Sequence, residues 1–196
     1  MHLAVDPAGN PEGSTIHYVI EPNASSLTVR AFATGMLASL GHNPTIAAPE
    51  VEGEISLNPD AVEQSSLRLT IAARKLGVTD DVSASDRKEI NRRMQEEVLE
   101  SEAYPNIVFE SSQGTASKTG EGQYWMASNG QLTLHGVTRA QSVSARVSLK
   151  DETLRATGEF SVLLSDYEIQ PVSALGGTIK LKDELKLSFS VSARKG

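Results

Sequence analysis

Four histidines, no cysteine and a single tryptophan bound the chemistry open to this 196-residue chain. Without thiols there are no disulfide staples, zinc–thiolate sites, iron–sulfur clusters or cysteine nucleophiles. His42 sits in the turn Leu40-Gly41-His42-Asn43-Pro44, directly after an apolar stretch. An imidazole there could orient a polar headgroup, act as an acid or base, or simply hydrogen-bond a turn carbonyl. His135 lies in Leu132-Thr133-Leu134-His135-Gly136, and alternation puts it on the face opposite the two leucines, as an exposed strand-end histidine. His2 and His17 lie near the start of the sequence and carry no assigned role. No His-x-His or His-x-x-x-His spacing occurs, so no metal site is assigned.

Other catalytic signatures are equally scarce. The sequence has many serines but no Gly-x-Ser-x-Gly elbow, no phosphate-binding Gly-x-x-x-x-Gly-Lys loop and no Gly-x-Gly-x-x-Gly fingerprint. The carboxylate pairs Glu96-Glu97 and Asp80-Asp81 fall on a wet helix face and a loop, without the burial that would split their acidities. No catalytic residue and no cofactor is assigned. Eighteen basic against 25 acidic residues give a net charge of −7, with no basic stripe for a nucleic-acid backbone. Lys180, Lys182 and Lys186 are too few for a polybasic membrane patch.

Any site must therefore be built by the strands that dominate the pattern. Apolar residues alternate with polar ones over 51–57, 67–74, 143–149, 153–162 and 185–191, the mark of half-buried strands. Shorter or less regular runs occupy 16–20, 27–40, a segment from 107 and another from 124 to 134. Asn58-Pro59-Asp60, the 118–122 run and Lys150-Asp151-Glu152 supply turns. One segment departs from this period. Residues 86–100 place Ile90, Met94 and Val98 on a helical stripe, with Asp86 and Glu89 as an N-terminal capping box. Glu89–Arg93 and Arg92–Glu96 are i,i+4 pairs on its wet face, and Tyr104-Pro105 ends the segment. The reading is all-β with one helix packed alongside. Strands with one apolar face each pack as a sandwich or close as a barrel, and the pattern alone leaves both open. Residues 1–15 read as a flexible leader and 16–196 as one domain. The first residues lack a basic and an apolar region, so no signal peptide is read and a cytoplasmic location is expected. No stretch is long and apolar enough for a membrane-spanning helix.

Four motifs carry a resemblance. They are Tyr18-Val19-Ile20-Glu21-Pro22 with Ser26-Leu27-Thr28-Val29; Gly41-His42-Asn43-Pro44; Leu99, Tyr104, Pro105, Ile107, Phe109 and Ser111 in a Leu-x-x-x-x-Tyr-Pro-x-Ile-x-Phe-x-Ser run; and Gly130-Gln131-Leu132-Thr133-Leu134-His135-Gly136-Val137-Thr138. In these the chain resembles the YceI-like family, lipocalin-like polyisoprenoid-binding proteins, over about 18–193. The resemblance implies an eight-stranded antiparallel β-barrel that holds a long-chain amphiphile in its lumen, without cofactor chemistry. The loop 166–177 departs from the family pattern, so ligand identity does not carry over.

Strand parity then proposes the lumen wall: Ile55, Leu69, Ile71, Phe109, Leu132, Leu134, Val147, Phe160, Leu187 and Phe189, with Met36 and Trp125 at positions of ambiguous parity. His42 and Tyr167 are candidates for the headgroup. The expected role is binding, storage or transport of a polyisoprenoid, isoprenoid quinone or fatty-acid-like lipid, and not catalysis. Two other readings stay open: a filled barrel with a protein partner, and a lipid-modifying enzyme using His42. A homodimer through the barrel sides is also left open.

Overall fold

The computed structural model describes residues 15–34, 43–170, 173–174 and 179–196. Met36 and His42 lie outside them, as do the turn around His42 and most of the loop after Ile169. The described strands are β1 (Ile16–Ile20), β2 (Ser26–Arg30), β3 (Ala33–Thr34), β4 (Thr45–Ala48), β5 (Glu52–Leu57), β6 (Ser66–Ala72) and β7 (Gly77–Val78). After the helix α1 (Ala84–Arg93) come β8 (Asn106–Gly120), β9 (Gln123–Leu134), β10 (Val137–Lys150), β11 (Thr153–Leu163), β12 (Ser173–Ala174), β13 (Ile179–Leu181) and β14 (Glu184–Lys195).

The main sheet runs β1-β5-β6-β8-β9-β10-β11-β14-β2-β4-β7, and β1 also pairs with β14, which closes it. All pairings are antiparallel. Three staves are each broken into two strands: β1 with β2, β4 with β5, and β6 with β7. Counted this way the barrel has eight staves, so closure rather than sandwich packing hides the inner faces. A 3-10 turn at Pro22–Ala24 makes the first break and another at Ala73–Lys75 makes the third. β12, β13 and β3 form a small separate sheet.

The first break and the course of β5 have local causes. Pro22 has no amide hydrogen to give to a ladder and sits at the start of its turn. At Gly53 the backbone has φ +153°, and a Cβ there would fall onto the carbonyl oxygen of Arg68 across the ladder. That close approach is open only to glycine.

The helix begins earlier than its sequence pattern indicates. Ser83 is the cap, its hydroxyl accepting from the Asp86 N–H at 3.1 Å, so Asp86 lies one turn inside and Glu89 plays no part in capping. In the sequence, Asp86 followed by Glu89 satisfies the same spacing as Ser83 followed by Asp86. Ile90 is 37 % exposed and faces solvent, whereas Met94 is buried. The α-helix passes into a π-turn, Met94–Val98, in which the Leu99 N–H donates to the Met94 carbonyl at 2.9 Å. The expected pairs Glu89–Arg93 and Arg92–Glu96 form, at 3.1 and 2.6 Å.

α1 also covers a sheet edge. The Val78 N–H donates to Asn91 Oδ1 at 2.9 Å, and Arg87 donates to the carbonyls of Val78 and Asp80, each at 2.7 Å. Gln95 Nε2 reaches the carbonyls of Ala73 and Leu76 at 3.2 and 2.9 Å. Side chains thus take the place of a neighbouring strand beside β7.

Candidate ligand-binding site

An elongated cavity of about 240 Å³ lies inside the barrel. Its wall includes Leu154 and Val162, eight residues apart on β11, roughly 27 Å along the strand at about 3.3 Å per residue. Ile55, Leu69, Ile71, Phe109, Leu132, Leu134, Val147, Phe160, Leu187 and Phe189 all line it. They do so because inward positions repeat every two residues on uninterrupted strands. Among the described residues the wall carries no charged side chain, and its polar members are Ser65, Ser66 and Ser128. Such a wall offers water few hydrogen bonds, so the space is a place for hydrocarbon.

The strands bring their β2, β4, β9, β11 and β14 ends toward the helix at one end of the barrel. There Met94, Val98 and Leu99 close the wall, brought to one side by the π-turn. Leu164 and Ile169 close it from the segment after β11. Sequence parity could not reveal these five, because each lies off a strand. At the opposite end are Leu57, Ser65, Ser66 and Leu154. Asn58 donates its N–H to Ser65 Oγ at 3.2 Å, which fixes that hydroxyl at the start of β6.

Two candidates are placed elsewhere than proposed. Trp125 points out of the barrel and is 45 % exposed. Its neighbours Tyr124 and Met126 pack inward, and β9 runs without a break through Gly130, so the parity of Leu132 and Leu134 holds back to residue 124. Tyr167 is buried beside the cavity, not on it, packed with Leu132, Leu134, Val162, Leu164 and Ile169. Burial pushes its phenol pKa up; Asp166 adds to this and Arg139 opposes it.

His135 also differs from its expected exposure. Its side chain is 13 % exposed. Nε2 lies 2.6 Å from Glu100 Oε2, and Nδ1 lies 3.3 Å from the Tyr167 carbonyl oxygen. The Tyr104 ring is 4.5 Å from the imidazole. Glu100, His135 and Glu168 all have positive φ, as does Gly136 at +74°. At Gly136 a Cβ would meet Tyr104 Cε1 at 2.5 Å. One imidazole thus ties together the turn after β9, the segment after the helix and the segment after β11. The last two carry the side chains that cover the helix end of the cavity.

Among the described residues no three or more His, Asp or Glu side chains gather as metal ligands, and no helix is long and apolar enough to cross a membrane.

No curated protein matches the sequence significantly. Burkholderia cenocepacia BcnA superposes with a TM-score of 0.68 at 17 % identity, over 88 % of this chain and 98 % of that one. A polyisoprenoid binding domain from Saccharophagus degradans, implicated in plant cell wall breakdown, gives 0.66 at 13 % identity, over 92 % and 99 %. A Campylobacter jejuni YceI protein gives 0.55 at 17 %, over 75 % and 82 %. These likenesses establish the shared barrel. The model of the YceI-like domain matches residues 18–193, and the chain belongs to that family.

Proposed function

We propose that the protein binds one long-chain amphiphile, a polyisoprenoid, isoprenoid quinone or fatty-acid-like lipid, and stores or carries it with the tail in the barrel. The observation that carries this reading is the elongated, apolar cavity covered by the helix, with no charged side chain among the described residues of its wall. Membership of the YceI-like family and the polyisoprenoid binding domain among its structural neighbours support it.

The energetics favour a slender chain. Each methylene taken from water contributes about 0.8 kcal/mol, so fifteen carbons gain on the order of 10 kcal/mol gross. Ordering the chain returns much of this. One methylene more or less discriminates weakly, so the tail sets affinity and the headgroup sets identity. A cavity of about 240 Å³ falls just under the roughly 300–1,000 Å³ of ordinary ligand pockets, which suits a single chain better than a bulky ring system. With no charged side chain on its wall among the described residues, the cavity leaves an ionised headgroup at one end of the barrel, in water. In this reading the protein is a carrier and performs no turnover.

Native mass spectrometry of the purified protein, with organic extraction and lipid analysis, tests the proposal. One long-chain amphiphile per chain is the expected result. A protein that is empty as purified, and that takes up neither isoprenoid quinones nor fatty acids, overturns it.

A further inference from the structure

The outer face of the barrel carries a second feature, separate from the lumen. Trp125 on β9 pairs with Arg146 on β10, which pairs with Thr157 on β11. One step toward the hairpin turns, Gln123 pairs with Ser148, which pairs with Arg155. Alternation puts all six side chains on the outer face. With Thr119 they border a groove of about 440 Å³.

Three properties set this groove apart from a solvated sheet face. Its indole is 45 % exposed, a large apolar surface left open to water. The Arg146 guanidinium stands 5.9 Å from the indole centre, at the outer limit of a cation–π contact, so it borders the ring without sealing it. Neither Arg146 nor Arg155 reaches a carboxylate within ion-pair distance among the described residues. The face carries one acid by register, Glu159, a pair beyond Thr157. Two guanidiniums with no carboxylate partner among the described residues, on a chain of net charge −7, make a local anion site.

We propose that this groove binds an acidic sugar, a hexuronate unit of a saccharide. The indole stacks against the apolar face of the sugar ring. The Arg146 and Arg155 guanidiniums take its carboxylate, Arg in fork geometry being matched to that group. The Gln123 amide and the hydroxyls of Thr119, Ser148 and Thr157 meet the ring hydroxyls. A neutral sugar leaves both arginines unused, and a plain anion leaves the indole unused. Strand pairing across β9, β10 and β11 fixes the spacing of every member but Thr119, which lies at an irregularity of the β8–β9 ladder.

The single tryptophan provides the test, because intrinsic indole fluorescence of the full chain reports on this groove alone. The probes are digalacturonate, the neutral digalactoside, inorganic phosphate and benzoate. The expected result is a saturable change with digalacturonate, at least tenfold weaker with each of the other three. Arg146→Ala and Arg155→Ala should each weaken digalacturonate binding at least tenfold while far-ultraviolet circular dichroism stays unchanged. Calorimetry on Trp125→Ala, which removes the reporter, should show the same loss. No saturable change with digalacturonate, an equal response to any of the other three probes, or binding unchanged in the arginine variants overturns the proposal. Loading the lumen with lipid leaves the groove intact, so this result is independent of the cavity's occupant.

Discussion

His135 shows how much one side chain can hold in a barrel whose lid is built from loops. Both of its partners, a carboxylate and a carbonyl, are acceptors, so the ring serves them together only when both nitrogens carry protons. His135→Ala removes two hydrogen bonds and the packing against Tyr104. The expected cost is roughly 1–2 kcal/mol, toward the low end for a charged pair because the Glu100 carboxylate is half exposed. Chemical denaturation reads the total, and hydrogen exchange should speed up in 164–169 more than in β14. Unchanged exchange in that segment would show that the imidazole does not secure it. Alternation in the sequence predicts an exposed His135 on the face opposite Leu132 and Leu134. It could not show that the strand ends there, or that Glu100 and Tyr167 arrive from 35 and 32 residues away. Trp125 is the converse: its parity is ambiguous in the sequence, and the unbroken ladder of β9 puts it outside.

The helix works as an element by completing an edge that the strands leave open. Its sequence announced itself by period, and both i,i+4 pairs on its wet face are present. Its start is ambiguous in the sequence because Ser83 and Asp86 each precede an acidic residue by three, and geometry decides for Ser83. The wet face supports a pH prediction. The Arg92 guanidinium, bonded to Glu89, is the main cause that holds this carboxyl at about 2 against an ordinary 4.5; desolvation opposes it and Arg93 adds to the lowering. A lowered acid contributes stability that is complete above about 4.5 and is lost as pH falls through about 2. Because the group is exposed, the effect belongs to the helix surface and not to the barrel. Carbon-detected NMR titration of the Glu89 carboxyl should give a midpoint near 2, and Arg92→Ala should move it back toward 4.5. A wild-type midpoint at the ordinary value would show that the Arg92 pair does not persist in solution.

At the scale of the whole molecule the barrel was legible as a set of one-faced strands, and ten of the residues proposed for its lumen stand on the cavity wall. What the pattern could not supply was closure. The breaks at Pro22–Ala24 and Ala73–Lys75 hide the fact that two short strands make one stave. The cavity itself invites a steric test. Ala156 lines it from mid-strand on β11, opposite Val147, so Ala156→Phe projects a ring into the lumen. The expected cost in stability is under about 3 kcal/mol, because space is available for the ring. Uptake of a fluorescent fatty acid or quinone analogue should fall at least tenfold. Unchanged uptake by a folded variant would place the ligand elsewhere. The seam between β14 and the β1–β2 stave carries one more consequence, for biosynthesis. Ile20 meets Ala193 and Val29 meets Leu187, so the first stave waits for a strand made more than 150 residues later. Until β14 leaves the ribosome the barrel is an open sheet, with its greasy concave side uncovered and two free edges. Contacts this distant in sequence form slowly, and such an intermediate is prone to aggregate. The nascent chain is therefore most in need of a chaperone just before β14 emerges, and a ribosome stalled before β14 releases a sheet with no lumen to fill.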